Sequence, residues 1–153
     1  MGTLNEPMKW LIESYSAGAV ATINEDGTPA VSPKATFVVL NDETVAFGNI
    51  RSPGTVANIR RCADVEVNFI DVLTRRAVRI KGRAQIVEKD SDAGQGMIPA
   101  FEARWAPYMD VMRNFVAISI THAQLILSPA YDLGHTAEDL RQVNMDKLRG
   151  LGS

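Results

Sequence analysis

Apolar and polar positions change period several times along this chain, and each change marks an element. Met8, Leu11, Ile12 and Tyr15 recur at the spacing of one helical face. Asn5 is placed to cap that helix, Pro7 sits in its opening turn and Ala17-Gly18 closes it, so the pattern predicts a helix over Asn5–Ser16. Ala19–Asn24 follows as a strand of small and branched residues. Glu25-Asp26-Gly27-Thr28 reads as a hairpin turn, with Gly27 supplying a positive backbone angle. Pro29–Leu40 returns as a second strand, broken or bulged near Pro33, because proline has no N–H to give a sheet ladder. Asn41-Asp42-Glu43 then turns the chain into a third strand, Thr44–Phe47.

A strand-to-helix passage comes next. Gly48-Asn49 ends the strand with residues that tolerate unusual backbone angles. Ser52 suits an N-cap, Pro53 suits the first helical position, and Val56, Ile59 and Ala63 recur at helical spacing. Asp64–Ile70 alternates, with Val65, Val67 and Phe69 on one side and Glu66 and Asn68 on the other. Arg76–Glu88 is the clearest strand: Val78, Ile80, Ala84 and Ile86 share one face, Arg79, Lys81, Arg83 and Gln85 the opposite one, and Gly82 marks a bulge or bend. Ser91–Met112 reads as helical or irregular, with Phe101, Trp105 and Met109 roughly one turn apart and Pro99 and Pro107 interrupting. Phe115–Leu127 is apolar on both faces and reads as a buried strand, stopped by Ser128-Pro129. Thr136–Leu148 reads as a terminal helix, with Asp139 completing a capping box on Thr136. Strands joined by short hairpins, with one helix inserted after the third, predict a mainly-β antiparallel barrel with peripheral helices, not a Rossmann sheet.

Composition narrows the function classes. At 153 residues, 46% hydrophobic and 22% charged, the chain suits one ordinary globular domain. A formal charge of −2 argues against a general nucleic-acid binder. The single cysteine, Cys62, forbids an internal disulfide, fits a reducing compartment and reads as a half-buried structural thiol. The N-terminus carries no cationic segment followed by an apolar run, and no stretch is long enough to span a bilayer, so a soluble, cytoplasmic protein is expected. His122, in a strand read as buried, is expected to be a hydrogen-bonded structural histidine; His135 lies in a glycine-containing loop. No metal-ligand spacing, nucleophile elbow or P-loop occurs.

Two features point toward an anion. Arg51, Arg60, Arg61, Arg75, Arg76, Arg79, Lys81 and Arg83 concentrate positive charge in the middle of a chain that is acidic overall. A small anionic ligand or a charged partner surface would explain that asymmetry, and so would chance. The helix opening after Ser52 carries no Asp or Glu in its first turn. Its free backbone N–H groups, with Arg51 beside them and the Ser52 and Thr55 hydroxyls nearby, suit a phosphate; a plain capped surface helix with a solvated arginine accounts for the same residues.

Taken in order, P-A-V-S-P-K-A-T-F (Pro29–Phe37), V-A-F-G-N-I-R-S-P-G-T-V-A-N-I (Val45–Ile59), V-E-V-N-F (Val65–Phe69) and R-A-V-R-I-K-G-R-A-Q-I-V (Arg76–Val87) resemble the pyridoxamine 5'-phosphate oxidase-like, FMN-binding split-barrel family. The resemblance covers about Ala19 to Val87, and Phe115–Leu127 looks like the family's last barrel strand. It implies a split β-barrel homodimer with FMN in a groove between two barrels. It implies that Lys34, Ala35 and Thr36 meet the flavin ring and ribityl chain, that Phe47, Gly48 and Asn49 lie along the same groups, and that Arg51, Ser52 and Thr55 form the phosphate turn. Asn58 matches a frequent polar position on the helix that follows. The chain departs from the oxidases in reading Ser52-Pro53-Gly54-Thr55 where they carry a Ser-Arg-Lys run, in Ala77 where they carry a glutamine, and in Leu133-Gly134-His135 where they carry Arg-x-His. The resemblance thus implies an FMN-binding flavin-dependent oxidoreductase with a substrate other than pyridoxamine phosphate. The same fold using a deazaflavin or haem, or a non-enzymatic flavin-binding or stress-response module, are the alternatives.

Overall fold

In the computed structural model, which describes residues 3–152, helix α1 spans Glu6–Ser14 and the Asn5 side chain accepts the Met8 N–H at 3.0 Å. Seven strands follow among the described residues: β1 (Gly18–Ile23), β2 (Pro29–Lys34), β3 (Phe37–Asn41), β4 (Thr44–Asn49), β5 (Asp64–Asp71), β6 (Arg76–Glu88) and β7 (Asn114–Leu127). Helix α2 (Pro53–Arg61) lies between β4 and β5, α3 (Asp92–Trp105) and a 3-10 turn (Ala106–Val111) lie between β6 and β7, and α4 (Ala137–Leu151) comes last. Every pairing is antiparallel, in the order β2-β1-β5-β6-β7-β4-β3.

The stretch expected as one strand broken near Pro33 is two strands on opposite edges of this sheet. β2 pairs with β1 as far as Lys34, β3 pairs with β4 from Phe37, and Ala35-Thr36 carries the chain across. Pro33 interrupts nothing because β2 is an edge strand with one neighbour and needs no second set of donors. The sheet curls upon itself: β3 and β5 are separated by three strands in the hydrogen-bonded order, yet the Phe37 and Phe69 rings meet edge-on with centroids 4.7 Å apart. The interior they close holds Val20, Phe47, Val67, Val78, Ile80 and Ile118. This is the antiparallel barrel that the sequence pattern predicts and the split β-barrel that the family resemblance implies.

Gly82 marks a true irregularity. Lys81 faces His122 and Gly82 faces Ile120, so Thr121 has no partner opposite. A side chain at Gly82 would strike the Ser119 carbonyl oxygen, which explains the glycine. β7 departs from its expected burial. Asn114–Ile120 is largely buried, but β4 covers β7 only from Asn114 to Ser119, and the strand beyond runs open, leaving Leu125 40% and Leu127 51% exposed. His122 falls in that open half and is exposed, which corrects its reading as a buried structural histidine. A second apolar cluster forms where α3 covers β3 and β7: the Phe101 and Phe115 rings stack at 4.2 Å, and Trp105 Nε1 donates to the Phe37 carbonyl at 2.9 Å.

The hairpin after β5 anchors the C-terminal segment. Tyr131 donates its hydroxyl proton to the Thr74 carbonyl at 2.6 Å, and Asn144 Nδ2 donates to the Leu73 carbonyl at 2.8 Å. The Thr136–Asp139 capping box opens α4 as its spacing predicts. The hairpin itself is tied by the buried carboxylate of Asp71, which accepts the Leu73 and Thr74 N–H groups and the Thr74 hydroxyl. Burial alone would raise the Asp71 pKa, but hydrogen bonds from Thr74, Tyr15 and Leu73 outweigh it and hold the carboxyl below its ordinary value. A carboxyl depressed in the folded state contributes stability in full above its unfolded pKa of about 4, and that contribution disappears as pH falls through the lower folded value. In thermal melts the parent's advantage over Asp71→Asn is therefore expected to be constant near neutrality and to shrink in strong acid. A difference that does not change with pH would contradict this.

Candidate functional site

The crossing from β2 to β3 and the end of β4 are stapled together by one side chain. Thr36 Oγ1 donates to the Gly48 carbonyl and accepts the Gly48 N–H, both at 3.0 Å. Met112, at the end of the 3-10 turn, fills the space a side chain at Gly48 would occupy. Beside this staple opens a cleft of about 790 Å³ whose walls include Ser32, Lys34, Thr36, Arg51 and Ser52, with Asp110 in the 3-10 turn and Arg113 just after it. It adjoins a recess of about 300 Å³ between β2 and the start of α2, bounded by Lys34, Arg51, Ser52, Gly54, Thr55 and Asn58.

The opening of α2 faces this space. Pro53 takes the first helical position as expected, and the first turn holds no acidic residue. Ser52 occupies the cap position but makes no capping hydrogen bond, contrary to its reading as an N-cap; its backbone, at φ −137° and ψ 53°, differs from the extended conformation of the working caps Asn5 and Thr136. The helix therefore begins with its donors uncovered and with a hydroxyl free beside them.

The cations around that opening lack counter-ions. Lys34 is half-buried, and its ammonium donates to Ser32 Oγ at 2.9 Å but has no carboxylate partner among the described residues. Removal of water from this group lowers its pKa. Arg51 is exposed and also unpaired. An anion placed between Lys34, Arg51 and the α2 amides would meet donors and charge that the protein itself leaves unmatched.

The other anticipated residues divide. Ala35, Thr36 and Gly48 border the cleft. Phe47 does not present its ring there: the side chain is wholly buried in the barrel, 5.2 Å from the Phe37 ring, so only its backbone is near. Asn49 is buried; its Nδ2 donates to Asn114 Oδ1 at 2.9 Å, while its own Oδ1 has no partner. Thr55 is buried in the first turn of α2. Asn58 spends its amide on the protein, donating to Thr22 Oγ1 and Asn24 Oδ1, both at 3.0 Å, and accepting from Arg61. It thereby ties α2 to the β1–β2 hairpin. The mid-chain cations divide too. Arg83 pairs with Asp64 at 2.8 Å, Arg79 with Glu66 at 3.4 Å, Arg76 lies over the Tyr131 ring, Arg61 donates to Asn58 and Arg75 to Asn144, leaving Lys81 on the sheet and Arg51 and Arg60 at the helix. Sequence reasoning missed Ser32 and Arg113. Arg113 arrives because its N–H donates to the Asn49 carbonyl at 2.8 Å, a junction set by β4–β7 register that no local pattern announces.

This architecture can be set beside known proteins. The family model for pyridoxamine 5'-phosphate oxidase matches residues 4–127. Among solved structures, HupZ of Group A Streptococcus superposes with a TM-score of 0.70 at 22% identity, covering 82% of this chain and 95% of that one. An FMN-binding protein from Syntrophomonas wolfei subsp. wolfei gives 0.66 at 11% identity, covering 80% and 86%. An F420 reductase gives 0.61 at 22% identity, covering 79% and 98%. At these identities the likeness to each structure is one of fold. A search of curated protein sequences finds no match. With most of its length matched by the family model and its strands in a split barrel, the chain belongs to the pyridoxamine 5'-phosphate oxidase-like family.

Proposed function

We propose that this protein is a flavin-dependent oxidoreductase that holds FMN non-covalently, works as a cytoplasmic homodimer, and seats the cofactor phosphate at the opening of α2. The observation that carries the reading is the half-buried, counter-ion-free Lys34 facing the acid-free, uncapped start of a helix in one cleft with Arg51. Lys34 and Arg51 supply charge to the phosphate, and Ser52, Thr55 and the first amides of α2 supply hydrogen bonds. Ala35, Thr36, Gly48 and Asn49 lie along the ring and ribityl chain, Phe47 supports that wall from inside the barrel, and Asn58 fixes the angle of α2. When bound, the flavin supplies the hydride or electron chemistry; the chain anchors it, orients its ring and excludes water. Ile70, Val72, Leu125 and Leu127 are exposed and give a dimer apolar surface to bury. Ala77 stands where the oxidases carry glutamine and no Arg-x-His segment is present, which favours a substrate other than pyridoxamine phosphate.

A deazaflavin is the second reading, favoured by Pro53-Gly54 in place of the oxidases' two cations. Purified protein mixed with FMN and passed through gel filtration is expected to retain flavin absorbance. No retained flavin at micromolar concentration would overturn the proposal. Parallel titrations with a deazaflavin and haem should give affinities at least about ten-fold weaker than FMN, a difference of about 1.4 kcal/mol. Turnover of a reduced nicotinamide with an artificial acceptor, well above free FMN, separates an oxidoreductase from a flavin-carrying module.

A further inference from the structure

A second recess, of about 440 Å³, shares Ile50, Arg51, Ser52 and Arg113 with the cleft but none of Ser32, Lys34 or Thr36, and it alone is bordered by Arg60. Three guanidinium-bearing residues border it: Arg51, Arg60 on the outer side of α2, and Arg113 before β7. No carboxylate lines it, and none of the three arginines is ion-paired among the described residues. Backbone structure brings them together. Arg113 is held by its N–H on the Asn49 carbonyl at 2.8 Å, and Arg60 follows Ile59, which is buried in the barrel core. Like charges gathered in this way repel one another unless an anion is present.

The remaining wall combines the apolar Ile50, Pro53, Val56 and Ala57 with two side-chain amides, Asn49 and Asn114. Asn49 Nδ2 donates to Asn114 Oδ1 at 2.9 Å, and Asn114 Nδ2 donates to Glu88 Oε1 at 3.5 Å, so both amides are oriented from the Glu88 end. The chain of donors ends on Asn49 Oδ1, an acceptor without a donor in a residue only 7% exposed. Guanidinium groups match phosphate and carboxylate in a planar, two-pronged geometry, and Asn49 Oδ1, closed off from solvent, leaves the arginines as the groups that meet a ligand. We propose that this recess is a second oxyanion subsite, adjoining the flavin phosphate across Arg51 and centred on Arg60 and Arg113, for a phosphate ester or carboxylate. Its assignment to the substrate or electron donor of the flavin reaction rests on the proposed function; the anion site itself rests on the recess alone.

Isothermal titration of the full chain with ribose 5-phosphate, gluconate and ribose, without flavin and then with saturating FMN, tests this. At least one of the two anions is expected to bind under both conditions, and neutral ribose is not. Arg60→Ala and Arg113→Ala, both at exposed positions, should each weaken that binding by about ten-fold or more, as loss of a charge-assisted pair does. Arg60→Ala should leave FMN affinity within about two-fold, since Arg60 borders only this recess. Absence of anion binding, binding indifferent to both substitutions, or displacement of FMN by the anion would each overturn the subsite. Arginine-dependent anion binding to a chain that takes up no FMN would uphold the subsite and remove the flavin reading.

Discussion

Val78→Asp is expected to leave the chain unfolded at room temperature. Val78 is fully buried in β6, where it pairs with Phe69 of β5 and Leu125 of β7 and packs among the residues that close the barrel. No cation of the described residues lies in that apolar cluster to receive a carboxylate. An unpartnered buried charge costs about 3–5 kcal/mol, and the lost valine burial adds roughly 1.5–2 kcal/mol. The sum is comparable to the entire stability of a domain, about 5–15 kcal/mol. Gln85→Asp is the control: it adds the same charge to an exposed position of the same strand and should cost about 1 kcal/mol or less. Far-UV circular dichroism melts distinguish the two. A Val78→Asp protein that melts with the parent would mean that the inward face of β6 has been misassigned.

That face was readable in the sequence because strand alternation is a local property. Val78, Ile80 and Ala84 are buried opposite exposed Lys81, Arg83 and Gln85, and the glycine between them marks the bulge. The helix caps of Asn5 and Thr136 were readable for the same reason: a side chain three residues from its target needs no knowledge of the rest of the fold. What escaped the sequence depends on distant neighbours. Whether β7 is covered depends on where β4 ends, so its apolar second half looked buried and is open. Whether Pro29–Leu40 is one strand or two depends on which edges the sheet leaves free.

The candidate site shows the same division. The acid-free first turn of α2 is a local fact and could be read directly, whereas the state of the Ser52 hydroxyl depends on backbone angles that composition does not encode. Lys34 could be named through family likeness, but its lack of a counter-ion appears only once Ser32, Arg51 and the helix are assembled around it. Asn58 matches a frequent polar position of the family. The fold uses its amide nitrogen to hold α2 against the hairpin, because Thr22 and Asn24, distant from it in sequence, converge on it, while its oxygen accepts from Arg61 on the same helix.

Lys34 and Arg51 should behave unlike ordinary structural cations when they are removed. Each is expected to contribute one charge-assisted contact to the cofactor phosphate, so Arg51→Ala and Lys34→Met should each weaken FMN binding by about 1.5–3 kcal/mol, roughly 10- to 150-fold. The double variant should lose more than either, to the point that gel filtration retains no flavin. Stability should move differently. Arg51 is exposed and unpaired, so its loss should leave the flavin-free melting temperature unchanged. Lys34 is a partly dehydrated ammonium whose pKa is lowered by burial and which has no ion-pair partner among the described residues, so Lys34→Met should keep or raise that temperature. Ser52→Ala, which removes a hydroxyl that caps nothing, should weaken FMN binding by about 1 kcal/mol and also spare the fold. Fluorescence titration of FMN and flavin-free melts on the same preparations give both readouts. A lysine holding the barrel together would cost melting temperature without selectively costing cofactor affinity. A cleft that does not receive the phosphate would leave the FMN affinity of all these variants equal to the parent's.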